Sequence, residues 1–232
     1  MYPDDCIQNL VNPWWEKDPN KSFRRGRLLW GYVPHVSITP YVLTPSGRKE
    51  PTSHDQAVFE ISQFRIHQQT KTLPVAALPE FPGEQYGVYR TKKRPLLLIS
   101  AGGNDVPKEL RRDKPRWQTE PTVLVAPFYG RDIGTTKRSG FADELTKRIR
   151  RCEYPQYMWD KLPIPGANES ILRFDHIQPL GKHQDSIEMT EHCLTEDAIN
   201  IVDEWLDWMV YGDLPAPDES VFSYLREELL TL

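Results

Sequence analysis

Two short runs in the chain are almost wholly apolar, Pro95–Ser100 and Pro121–Pro127, each bounded by proline or glycine. Such runs predict strands buried on both faces of a sheet. The segment Arg25–Pro34 reads as the first core strand, opening at Gly26 and stopping at Pro34. Between Pro34 and Pro82 strand-like pieces alternate with turn residues. Tyr41–Leu43, Ala57–Ile61 and Phe64–Ile66 suit strands, Pro45-Ser46-Gly47 suits a turn, and 73–82, with three prolines, suits an extended loop. Ser170–His176 is another predicted strand. Side chains alternate faces along a strand, so Arg173 and Asp175 fall on one face, with Phe174 and His176 on the other.

Helical spacing appears in the second half. Phe141, Leu145, Ile149 and Cys152 recur at intervals of four and three, opposite Lys147, Arg148, Arg150 and Arg151. From Leu194 onward, Thr195 suits an N-cap and Glu196 and Asp197 suit the positive end of a helix dipole. Ala198, Val202, Trp205, Leu206, Met209 and Val210 form the apolar stripe, and Gly212 and Pro215 end the helix. A second helix over roughly 218–230 is expected to pack through Val221, Phe222, Leu225 and Leu229. The prediction is a mostly β fold with α, one domain over 1–212. An N-terminal arm (1–24) docks by Trp14 and Trp15, a β-rich insertion spans about 34–82, and a helical tail covers 213–232.

The 232 residues suffice for a substantial core. With 21 prolines, long helices are expected only near the C-terminus. No apolar run approaches the roughly 18 residues of a membrane span, and the N-terminus lacks a secretory pattern. Three widely spaced cysteines (Cys6, Cys152, Cys193) fit neither a disulfide framework nor a zinc site, so a cytoplasmic location is expected. His35, His54 and His67 match no usual metal spacing, and neither a metal nor a cofactor is expected. The net charge of −4 hides a pattern: residues 1–89 are net zero, 90–151 net +9 and 152–232 net −13. A basic middle in an acidic chain suggests a local site for a polyanion; its plainer reading is pairing with the acidic end.

The parts occur in a definite order: Gly26 to Trp30, the loop Gly83 to Gly87, Arg94 to Ser100, Thr122 to Pro127, Arg173 to Asp175, and the helix from Leu194 to Val210. This order, over less than half of the chain, resembles the MazF/PemK/Kid family of toxin endoribonucleases. The resemblance implies an SH3-like β-barrel of the CcdB/PemK type with a C-terminal helix, a homodimer, an antitoxin partner, and metal-independent cleavage of single-stranded RNA by 2′-hydroxyl attack. It assigns Asp175 as general base, Arg173 as general acid or phosphate stabiliser, and Arg94 as a phosphate contact. Glu84 and Gln85 match the loop flanking the family's site. Lys93, Tyr129, Arg131 and His176 complete the expected substrate contacts. A guanidinium is a poor proton donor because its pKa exceeds ~12, so Arg173 suits the electrostatic role better. His176 becomes a donor only where a bulge turns it inward. The chain departs from the family in having Phe128-Tyr129 where many members carry Thr or Ser, His176 where Asp is often followed by Gln, and nearly fifty residues before Glu84. Two other readings fit the same residues: a non-catalytic SH3-like module binding nucleic acid or protein, and a gyrase-poison toxin of the same fold.

Overall fold

In the computed structural model the elements run α1 (Ile7–Leu10), β1 (Trp15–Lys17), β2 (Arg27–Pro34), β3 (Tyr41–Arg48), β4 (Ala57–Gln63), β5 (Tyr86–Val88), β6 (Thr91–Ser100), β7 (Val123–Gly130), α2 (Asp143–Arg150), β8 (Tyr157–Asp160), β9 (Ser170–Arg173), β10 (Gln178–Leu180), β11 (Ile187–Leu194), α3 (Glu196–Tyr211) and α4 (Val221–Leu230). The structure describes residues 1–53, 56–67, 83–114, 118–131, 140–166, 169–182, 185 and 187–232. The fold is mostly β with few helices. The expected loop at 73–82 and His54 lie outside the described residues. The chain divides into two compact units, Met1–Tyr32 with Lys93–Leu232, and Val33–Lys92.

The larger unit is built on one sheet, in the order β1-β11-β2-β6-β7-β9-β8, with β10 also paired to β7. The two apolar runs form its centre. Leu96, Leu97, Leu98, Val123, Val125 and Ala126 are all buried. Strand β7 does not stop at Pro127, as the sequence suggests, but continues to Gly130. Pro127 pairs with Leu96 of β6, while β10 reaches only to Val125 and β9 starts at Phe128. A proline can sit in a central strand here because its position falls in the interval between those two partners, where no ladder hydrogen bond is lost.

Alternation along the strands gives the sheet two different faces. On one, Leu97, Ile99, Ala126, Phe128, Met158 and Leu172 join α3 and α4 in the main core. Thr195 caps α3, its hydroxyl accepting from the Ala198 amide at 3.4 Å, and Gly212 ends it at φ +83°, a conformation a side chain disfavours. Trp205 stacks on Phe222 of α4 with centroids 4.9 Å apart and donates its indole N–H to the Pro155 carbonyl at 3.0 Å. Phe222 and Leu229 are the buried apolar residues of α4; Val221, expected in the core, is 63% exposed because Ser220 caps the helix and turns its first residue outward. On the opposite face Ile171 and Trp159 pack with Ile149 of α2 and Cys6, with Phe141 and Leu145 against them. The three cysteines are free and buried.

The N-terminal arm docks through its tryptophans. Trp14 and Trp15 both donate their indole N–H to Oδ2 of Asp160 at 3.1 Å, and the Tyr2 hydroxyl donates to Oδ1 at 3.1 Å. A second clamp is Arg27, fully buried, which donates to the Ser22 and Thr190 carbonyls at 3.0 and 3.2 Å and pairs with Asp18.

The smaller unit holds a three-stranded sheet, β4-β3-β5. The expected turn at Pro45-Ser46-Gly47 is instead part of β3, accommodated by a bulge between Pro45 and Gly47. Phe64–Ile66 lies beyond the end of β4 rather than in a strand. No described helix is long and apolar enough to cross a membrane.

Candidate functional site

Antiparallel register brings the site together. Leu96 lies opposite Pro127, and the same register carried two residues further sets Arg94 opposite Tyr129. Tyr129 in turn pairs with Ile171, and Tyr157 with Arg173. Directly opposed residues share a face, so Arg94, Tyr129, Arg173 and Tyr157 project on the sheet face away from α3. The Arg94 guanidinium carbon stands 3.9 Å from the centre of the Tyr129 ring. That of Arg173 stands 5.8 Å from the same ring and 5.1 Å from the Tyr157 ring.

Asp175 is not on the strand. The strand β9 ends at Arg173, and Phe174–His176 form a 3₁₀ turn closed by the Ile177 amide donating to the Phe174 carbonyl at 3.1 Å. Phe174 is the reason: it stays buried, its ring 5.9 Å from that of Trp205, and pins the turn to the α3 side. The expected Arg173–Asp175 pairing still forms, through the turn rather than through strand alternation. Arg173 Nε donates to Asp175 Oδ1 at 2.7 Å, and Nη2 donates to Oδ2. The turn also overturns the expectation that His176 faces away. Its Nδ1 lies 2.7 Å from the Tyr129 hydroxyl, with the rings edge-to-face at 5.5 Å, and its Nε2 lies 4.0 Å from Asp175 Oδ2.

The electrostatics are uneven. Arg94 is only 9% exposed, and among the described residues no hydrogen bond or ion pair is made by its side chain; its contact is the Tyr129 ring. Burial lowers its pKa from the ordinary guanidinium value, yet an arginine stays charged. Cation–π stacking returns about 0.5–2 kcal/mol, less than the cost of withdrawing a charge from water. Stacking engages the face of the guanidinium and leaves its in-plane N–H donors available. Arg173 spends Nε and Nη2 on Asp175, which raises its pKa; the donors on Nη1 make no hydrogen bond among the described residues. Burial raises the Tyr129 phenol above its usual value, opposed by the charges of Arg94 and Arg173. Two cations with unused donors thus stand beside a carboxylate, a phenol and an imidazole, an arrangement whose chemistry suits an anion and includes groups able to move protons.

The other expected residues have partners of their own or belong to the smaller unit. Lys93 faces away from Arg94, pairs with Glu188 at 2.8 Å and lies over Trp30. Arg131 is tied to Glu169 and Asp143. Glu84 and Gln85 belong to the smaller unit, exposed in the loop ahead of β5. Of the basic residues of α2, Arg148 pairs with Glu153 at 2.6 Å and Arg150 with Asp5 at 2.8 Å. Tyr157 joins the site although the sequence pattern does not single it out. Its one signal is the alternation Tyr157-Met158-Trp159, a four-residue strand hidden between turns. No cluster of His, Cys, Asp and Glu able to hold a metal is present among the described residues. No protein-family model matches the chain, and no curated protein matches it either.

Proposed function

We propose that the protein is an endoribonuclease of the MazF/PemK/Kid type, on an SH3-like sheet, that cleaves single-stranded RNA. The observation that carries the reading is the convergence of Arg94, Arg173, Asp175 and Tyr129 on one sheet face, with Arg94 nearly buried and without an anionic partner among the described residues. In this reading the scissile phosphate takes up the unused donors of Arg94 and of Arg173 Nη1. Asp175 removes the 2′-hydroxyl proton, the 2′-oxygen bonds to phosphorus, and the bond to the 5′-oxygen breaks, leaving a 2′,3′-cyclic phosphate. The two guanidiniums meet the charge that grows on the phosphoryl oxygens in the transition state. The resemblance adds a homodimer and an inhibiting antitoxin to the proposal.

One observation favours a second reading. Both carboxylate oxygens of Asp175 are engaged by Arg173, an arrangement that also suits a site that binds phosphate without chemistry. Incubation of the purified protein with a long single-stranded RNA in EDTA, beside Asp175→Asn and Arg173→Ala, separates them. Cutting at defined positions by the wild type only, leaving cyclic-phosphate or 3′-phosphate ends, is the expected result. Salt-sensitive RNA binding without cutting supports the binding module and refutes the ribonuclease.

A further inference from the structure

The proposed cleavage leaves one proton unassigned, the one that the departing 5′-oxygen must receive. Arg173 is badly suited to supply it: a guanidinium holds its proton above pH ~12, and the hydrogen bonds to Asp175 tighten that hold. His176 is differently placed. The 3₁₀ turn carries it to the sheet face that holds both arginines, where its Nδ1 is 2.7 Å from the Tyr129 hydroxyl and its Nε2 points toward Asp175 Oδ2 at 4.0 Å. The His176 side chain is 10% exposed, and its neighbour Asp175 is the more open member, with one third of its side chain accessible. One nitrogen thus lies against the Tyr129 hydroxyl, and the other lies 4.0 Å from the carboxylate assigned as general base.

We propose that His176 is the general acid of this site and that Tyr129 is the positioning residue that fixes its ring. The inference rests on the ribonuclease reading. As the 2′-oxygen bonds to phosphorus and the bond to the 5′-oxygen breaks, the proton on Nε2 passes to that oxygen. The imidazolium becomes neutral imidazole, and Nδ1–H remains donated to the Tyr129 oxygen. The proton that Asp175 took from the 2′-hydroxyl returns to His176 through solvent, which closes the cycle. Among the described residues, the charged and titratable groups around the ring are Tyr129 from β7 and Asp175 from the turn itself, with Arg94 of β6 and Arg173 of β9 against the Tyr129 ring and Tyr157 of β8 beside Arg173. The cations oppose the imidazolium and Asp175 favours it.

The test compares two RNA substrates, one ordinary and one with sulfur replacing the bridging 5′-oxygen at the mapped cleavage position. A thiolate leaves without needing a proton. His176→Asn keeps a polar atom near the place of Nδ1 and removes Nε2. It is expected to cut ordinary RNA about 10²–10³-fold more slowly, to lose the alkaline fall of the pH–rate profile, and to cut the sulfur substrate at close to the wild-type rate. RNA retention on filters falls far less than the rate on ordinary RNA. Equal impairment on both substrates, or no impairment on either, overturns the assignment of His176 while the wild type still cuts. A wild type that cuts neither substrate overturns the ribonuclease reading and this inference with it. Should thermal melting show His176→Asn unfolded, Tyr129→Phe decides: the ring and its arginine contact stay, and the alkaline limb must move. An unmoved limb refutes the role of Tyr129 and, with it, the proposal.

Discussion

Asp160 is a carboxylate with no accessible surface and no cationic partner among the described residues. Three side-chain donors from the N-terminal arm, Tyr2, Trp14 and Trp15, converge on it. Burial disfavours the charged form and the donors favour it; burial wins, and the carboxyl is pushed up from 3.8 to about 7. At ~1.36 kcal/mol per pH unit this difference is worth about 4 kcal/mol of stability. The folded pKa lies above the unfolded one, so the folded state binds the proton more tightly. The contribution is fully present below pH 4 and is lost as pH rises through about 7. Asp160→Asn removes the titration and keeps the clamp: the amide oxygen accepts from both indoles, and the amide nitrogen donates to the Tyr2 hydroxyl. Urea unfolding from about pH 4 to 8 should show the variant close to wild type at the acid end and more stable by up to about 4 kcal/mol at the alkaline end. Asp160→Ala, by contrast, strands the buried Trp14 indole N–H, at about 1–3 kcal/mol, and the half-buried Trp15 one at less, at every pH. Parallel curves for wild type and Asp160→Asn across the range refute the reasoning. They would mean that the arm's donors hold the carboxylate ionised despite its burial.

Packing and the site each give a further expected outcome. Trp205→Ala empties the position between Phe174 and Phe222 and should cost about 3–5 kcal/mol in chemical denaturation; because Phe174 anchors the turn, it should also lower RNA binding under conditions where the variant is still folded. Arg94→Lys keeps the charge but loses the planar stack on Tyr129 and the in-plane donors; RNA affinity should fall in both Arg94→Lys and Arg94→Ala, with the slope of log affinity against log salt reduced by about 0.7 in Arg94→Ala alone, for one lost charge at a phosphate of a single strand.

What the sequence reveals here depends on how local the cause is. The buried strands around Leu97 and Val125 and the cap of α3 at Thr195 are legible because burial on both faces and capping are set by neighbours in sequence. The extension of β7 through Pro127 is not legible, since it depends on where β9 and β10 happen to stop. The clamp at Asp160 joins residues about 145 positions apart, and nothing near Asp160 in sequence marks it. The site falls between these cases. The Arg173–Asp175 pair is visible as a two-residue spacing, but strand alternation assigns the wrong geometry to Asp175 and His176. On a continued strand His176 would face away from Asp175. A single long-range preference, that of Phe174 for the aromatic pocket against Trp205, bends the chain into a 3₁₀ turn and places His176 beside Tyr129. The chemistry available at this face is therefore decided by packing on the opposite face of the sheet. Replacing Phe174 is consequently expected to alter the site more than replacing exposed residues that lie nearer to it in sequence.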